Sequence, residues 1–157
     1  MKIIEIQDRT AALAEQLTAV WEGSVKATHL FLSDGEIESI KRYVPEALKN
    51  VPHLIIAESE NGTPTAFMGI EGQKLEMLFV DSRERGLGLG KKLIQYGIRE
   101  YSINDLRVNE QNPQARGFYE HMGFSVYKRA DRDEQGNPYP ILSMRLGESV
   151  LDSREIN

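Results

Sequence analysis

Apolar residues recur along this chain with two different periods, and each change of period marks a new element. Lys2 to Ile6 alternates, which reads as a short strand with Ile4 and Ile6 on one face. Thr10 is a suitable helix cap, and after it Leu13, Leu17, Trp21 and Val25 return every four residues as one buried stripe. Ser33 stands three residues before Glu36, the spacing of a capping box in which each side chain satisfies the other residue's backbone N–H. The helix opened there turns Ile37, Ile40, Val44 and Leu48 inward. Pro45 should bend or shorten it, because proline lacks an N–H and crowds the preceding turn.

Beyond residue 50 the period shortens. His53–Glu58 is a β-branched apolar run, Asn61-Gly62 is a hairpin turn, and Thr65–Glu71 is the next strand. Gly72-Gln73 leads into Lys74–Asp81, where alternation places Leu75, Met77 and Phe79 on one side and Glu76, Leu78 and Val80 on the other. A helix is expected from about Leu87 to Tyr101, a strand over Leu106–Asn109 and a helix over Asn112–Met122. That last helix has Asn112 as its cap, Pro113 at its first position and Gly123 at its stop. Phe124–Ala130 and Tyr139–Leu146 form a closing hairpin. The order β-α-α-β-β-β-α-β-α-β-β predicts an α+β fold. Its sheet is mixed and mostly antiparallel, flanked by helices, with one parallel pair joined by a right-handed crossover. Residues 1–146 read as a single domain, and 147–157 as a polar, frayed tail.

Composition narrows the chemistry. The chain has 157 residues, 40% of them hydrophobic and 27% charged. None of its apolar runs approaches the roughly 20 residues that span a bilayer. With acidic residues at Glu5 and Asp8, the start does not read as a signal peptide, so the cytoplasm is the expected location and no membrane partner is expected. There is no cysteine, which removes disulfides, thiolate metal sites and cysteine nucleophiles. His29, His53 and His121 are scattered, so no metal is expected. A formal charge of −5 does not suit a nucleic-acid binder.

The most informative stretch is EMLFVDSRERGLGLGKKLIQYGIREY, in which a strand ends at Asp81, a glycine-rich turn follows and an amphipathic helix begins. Glycine allows positive φ and close approach of a ligand, and a helix N-terminus offers unpaired N–H groups to a phosphate. The dinucleotide fingerprint fails here, since Lys91 or Leu93 stands where its last glycine belongs. The P-loop pattern fails at Arg85 and Lys92, which leaves Arg-x-x-Gly-x-Gly over Arg85–Gly90. A second motif follows in NEQNPQARGFYEHMGF, with Asn112, Ala115, Phe118, Tyr119, Gly123 and Phe124 at regular spacing. Asn112, Ala115 and Tyr119 share a helix face, while Phe118 and Met122 turn toward the core.

Both motifs, in this order, resemble those of the GNAT acetyltransferases; the resemblance covers most of the chain and is specific from about Leu75 to Phe124. It implies acetyl-CoA as co-substrate, with its pyrophosphate on Arg85, Gly86, Leu87, Gly88, Leu89, Gly90 and Lys91. It implies the pantetheine amides on the backbone near Phe79 and Val80, between strands that splay apart near Asp81 and Asn109. By the same resemblance Asn112 contacts the pantetheine–pyrophosphate part, Ala115 lets the cofactor lie close and Tyr119 reaches the thioester sulfur. A phenol of pKa about 10 stays protonated at neutral pH and can supply a proton to a leaving thiolate.

The acceptor amine must lose a proton before it attacks, and a carboxylate would serve. Glu76 is the first candidate, against the plain alternative of a strand glutamate facing solvent; His29 and Glu71 are the others. In such folds the acceptor pocket lies between the first helices and the last hairpin, which brings forward Trp21, Ser24, Thr28, His29, Phe31 and Tyr139. The acidic chain favours a cationic acceptor, a small amine or a basic peptide, without choosing between them. Homodimers are common among proteins of this kind. The rival readings are an acyl-CoA-binding sensor without turnover and a nucleotide phosphate site of another class.

Overall fold

The computed structural model describes residues 1–147. Its strands are β1 (Lys2–Glu5), β2 (His53–Glu58), β3 (Pro64–Glu71), β4 (Lys74–Val80), β5 (Asp105–Asn109), β6 (Phe124–Ala130) and β7 (Ile141–Leu146). The helices are α1 (Ala11–Thr28), α2 (Asp34–Lys41), α3 (Val44–Asn50), α4 (Leu89–Tyr101) and α5 (Pro113–His121), with a 3-10 turn at Ser82–Glu84. The tail expected from Gly147 lies, past that residue, outside the described residues.

The strands form one mixed sheet in the order β1-β2-β3-β4-β5-β7-β6, antiparallel except for β4 against β5. Helices cover both of its faces. Leu93, Ile94 and Ile98 of α4 pack on one face against Met68, Ile70 and Leu106. Leu17, Trp21 and Val25 of α1 join Ile37, Val44, Leu48 and Phe67 on the other. Burial on both faces explains why β3 is almost continuously apolar.

Local signals set most boundaries. The Thr10 side chain accepts from the Leu13 N–H, and Ser33 and Glu36 form the reciprocal capping box. Pro45 splits the expected second helix in two: α2 stops at Lys41, and α3 starts at Val44 with the proline in its first turn, where its missing N–H has no helical role. The break takes Ile40 out of the buried stripe and leaves it 39% exposed.

Strand β4 departs from simple alternation. Gly69 pairs with Met77 and Ile70 with Leu75, so Glu76 is an extra, unpaired residue in a bulge. Leu75 therefore joins Leu78 and Val80 on the α4 side, while Met77 and Phe79 face α1. Gly69 accommodates this, since a Cβ there would lie 2.7 Å from Met77 Cε. Parallel pairing of β4 with β5 is limited to Lys74 with Asp105 and Leu75 with Leu106. Past that point the two strands diverge, and β5 pairs with β7 along its whole length.

Leu93 is fully buried on the helix that carries the glycine turn. Leu93→Ala should lower unfolding stability by about 2–5 kcal/mol, the cost of an unfilled core site. Urea denaturation would show this as a lower midpoint at unchanged slope; a loss under about 1 kcal/mol would mean that α4 is not anchored there.

Candidate active site

The divergence of β4 and β5 opens a cleft of about 380 Å³ on the edge of β4, bounded by the glycine turn, α5 and the end of α1. The Asp81 side chain holds the near side of the turn by accepting from the Arg83 N–H at 2.9 Å and pairing with its guanidinium. That pairing keeps the Asp81 carboxyl below its usual range. Gly86 and Gly88 have φ of 84° and 76°, the left-handed region that glycine enters without strain. Gly88 caps α4 without a side chain, and the first bond into the helix runs from the Lys92 N–H to the Gly88 carbonyl at 3.0 Å. Among the described residues, the N–H groups from Gly86 to Lys91 meet no protein acceptor. Six successive unpaired donors at a helix N-terminus, flanked by Arg85 and Lys91, suit an anion, and so fit the diphosphate of a coenzyme A.

The seven turn residues differ in what they contribute. Arg85 donates to Gln114 Oε1 at 3.2 Å and so ties the turn to α5. Leu87 is 68% exposed and does not line the cleft with its side chain. Gly90 has ordinary φ, and a Cβ there would touch Phe118 at 3.5 Å, a normal contact, so the fold does not require glycine at that position. The side chains of Phe79 and Val80 line the cleft from β4, whose backbone edge past Leu75 has no neighbouring strand on the β5 side.

On α5, Asn112, Ala115 and Tyr119 all line the cleft. Asn112 is the buried cap, its Oδ1 accepting from the Ala115 N–H at 3.2 Å, which leaves the amide NH₂ to donate elsewhere. Phe118, read from the sequence as turned to the core, also reaches the cleft, over Gly90. Tyr119 is 8% exposed and sits edge-on between Phe118 and Phe124. Its hydroxyl has no hydrogen-bond partner among the described residues, and no buried side-chain oxygen is left unpaired, so the group opens to the cleft. Burial pushes its pKa above the usual range, which keeps it a phenol at neutral pH.

A second cavity, about 960 Å³, lies on the other side of Phe79. Trp21, Phe31 and Tyr139 line it, whereas Ser24 and Thr28 face the first cleft. His29 and Phe79 line both. The ring centroid of Phe31 lies 5.5 Å from that of His29 and 5.9 Å from that of Tyr139, and the Tyr139 hydroxyl donates to the Glu36 carboxylate. Glu36 and Asp133 bring carboxylates to this cavity, and among the described residues no lysine or arginine lines it. Glu36 was legible in the sequence only as a capping residue, and Asp133 only as part of a loop, because nothing local reveals what faces them across the fold.

Glu76 is not brought to Tyr119. As the bulged residue of β4 it pairs with Lys74 at 3.3 Å and lines a separate depression with Arg107 and Glu134. Among the described residues no cluster of three or more His, Asp or Glu could hold a metal, and no helix is long and apolar enough to cross a membrane.

Because Tyr119 is held neutral by burial, its folded pKa lies above the unfolded value of about 10. Its contribution to stability is therefore complete below that pH and declines as pH rises further, when the unfolded chain alone loses the proton. Tyr119→Phe should show a shallower loss of stability than the parent protein above pH about 10 in denaturant titrations. Identical slopes would mean that the phenol ionises freely in the folded state.

Comparison with known proteins agrees with this geometry. A family model described as an acetyltransferase (GNAT) domain matches residues 18–146. The peptidyl-lysine N-acetyltransferase YjaB of Salmonella typhimurium is 39% identical over 130 residues, covering 83% of this chain and 89% of that protein. YjaB of Escherichia coli is 38% identical over 146 residues, covering 90% and 96%. The solution structure of apo YjaB from Escherichia coli superposes with a TM-score of 0.82 at 37% identity, over 92% of this chain and 97% of that one. The fold is shared with the PaiA N-acetyltransferase of Thermoplasma acidophilum, solved in complex with coenzyme A (TM-score 0.68, 24% identity, 92% and 99% covered). With its seven-stranded mixed sheet, its amide-lined turn and these relatives, the chain belongs to the GNAT family of acetyltransferases.

Proposed function

We propose that the protein moves an acetyl group from acetyl-CoA directly to the side-chain amine of a lysine in a peptide, with both substrates bound together. The observation that carries this reading is the pair of cavities meeting at His29 and Phe79, one rich in anion-binding donors and the other bearing only carboxylate charge. A diphosphate suits the first, and a protonated lysine arriving from a peptide suits the second. The names of the two YjaB relatives point to the same acceptor class.

The turn from Gly86 to Lys91 would grip the diphosphate, with Arg85 and Lys91 adding charge. The free edge of β4 at Phe79 and Val80 would align the pantetheine amides as a strand would, and Asn112 would donate from its amide. This fixes the thioester beside Tyr119, so most of the rate advantage comes from positioning two reactants. As the amine nitrogen bonds to the acetyl carbon and the C–S bond breaks, the Tyr119 hydroxyl gives its proton to sulfur. Glu36 and Asp133 would attract the cationic side chain to the far cavity, and Trp21 and Phe31 would flank its methylenes.

Thiol release from acetyl-CoA with an Nα-blocked lysine peptide, read together with peptide mass, tests the proposal. Tyr119→Phe should cut kcat by about 100-fold or more. Glu36→Gln, which preserves the capping box, should raise the peptide KM about tenfold and leave that for acetyl-CoA unchanged. Gly88→Val, strained by about 1–2 kcal/mol at positive φ, should weaken coenzyme A binding at least about fivefold by calorimetry. Acetylation of small amines but of no lysine peptide would overturn the acceptor assignment. Full coenzyme affinity in the valine variant would overturn the cofactor site.

A further inference from the structure

His29 is the titratable side chain, among the described residues, that lines both the cleft and the second cavity, with Phe79 beside it. It follows the last turn of α1 as its C-cap, with its backbone N–H bonded to the Val25 carbonyl, so its position is set by the helix. The side chain makes one polar contact, Nδ1 to the Thr28 hydroxyl oxygen at 2.8 Å. That hydroxyl already donates to the Ser24 carbonyl at 2.8 Å, the usual back-bond of a helical threonine. A threonine has a single O–H to give. With that proton committed to Ser24, the imidazole must donate from Nδ1, and Nε2 is left with a lone pair. Nε2 has no partner among the described residues and is not sealed from solvent.

We propose that His29 is the general base of the reaction, receiving at Nε2 the proton that the acceptor nitrogen sheds as it bonds to the acetyl carbon. The assignment rests on the acetyl-transfer reading above. The lysine attacks as the free amine, its ammonium proton having passed to water. The N–C bond forms, His29 Nε2 takes one proton from nitrogen, the C–S bond breaks, and Tyr119 protonates the sulfur. The imidazolium then returns its proton to the Tyr119 phenolate through solvent, so both groups are restored and the products are an amide and a thiol.

The surroundings suit a base that works near neutral pH. Burial pushes the His29 pKa below its ordinary value, so the ring is neutral and ready to accept a proton. Charged or titratable groups around the first cleft are Glu84, Arg85, Lys91 and Tyr119. Around the second they are Glu36, Tyr43, Asp133 and Tyr139. None of them bonds to the imidazole, and Phe31 packs on its ring side. Tyr119 from α5 and His29 from the end of α1 thus line the same cleft, one carrying a proton and the other lacking one at Nε2.

Two measurements decide the matter, one of them independent of turnover. Long-range ¹⁵N–¹H spectra at neutral pH should show His29 as the Nδ1–H tautomer; an Nε2–H tautomer overturns the proposal whatever the activity. In the parent protein, log kcat/KM for a lysine peptide should rise with a slope of about two below the His29 pKa and about one above it, since two groups must lose protons and then one. His29→Asn can keep the donor to Thr28 but has no base. It should lower kcat/KM by about 100-fold or more, show a slope of about one throughout and bind coenzyme A within about twofold of the parent. Activity within threefold of the parent, or an unchanged profile, overturns the role. A parent protein that acetylates no amine brings down the acetyl-transfer reading and this assignment together, a result distinct from a variant that matches an active parent.

Discussion

Two parallel strands that part company after two residue pairs are the constraint on which the site depends. Had β4 and β5 stayed paired to their ends, the backbone edge at Phe79 and Val80 would be consumed by the sheet. Leaving those groups unpaired is tolerable because they face an open cleft, where water or a ligand can satisfy them. Three features hold the strands apart. The bulge at Glu76 redirects β4, β5 takes β7 as its partner over five residue pairs, and α5 sets Phe118 and Tyr119 beside the gap. The glycine turn then needs only to follow β4 into α4 for its amides to face the same opening.

Much of this was legible from the residues. Capping signals at Thr10, Ser33 and Asn112 marked helix starts because each acts through bonds to its own neighbours. The Arg85–Gly90 turn and the α5 motif could be picked out because each is a short pattern in sequence order, and the structure sets both on one cleft. The bulge at Glu76 could not be, since it arises from the register of β4 on β3, and it undid the simple alternation expected there. The same kind of limit applied to the second cavity. Ser24 and Thr28 were grouped with Trp21, but a helical turn points them at the other cavity, and Glu36 and Asp133 are brought together only by the tertiary fold.

Charge is divided between the two cavities in a way that net charge conceals. A chain of −5 overall places Arg85, Lys91 and a row of amides, with Glu84, at one opening, and Glu36 and Asp133 at the other. On balance the first opening suits an anion and the second a cation. Burial favours the neutral form of both Tyr119, whose pKa it raises, and His29, whose pKa it lowers. One kind of environment, desolvation, thus favours the neutral form of two groups of opposite charge type.

The hydrogen bond from Tyr139 to Glu36 joins the loop before β7 to the first turn of α2, segments more than a hundred positions apart in the chain. Neither belongs to the glycine turn or to α5, which line the first cleft. This wall of the second cavity is thus a removable panel, mounted on the scaffold at its two ends. Insertions or exchanges in either segment would reshape that cavity and leave the glycine turn and α5 untouched, which gives a physical route for one architecture to diversify.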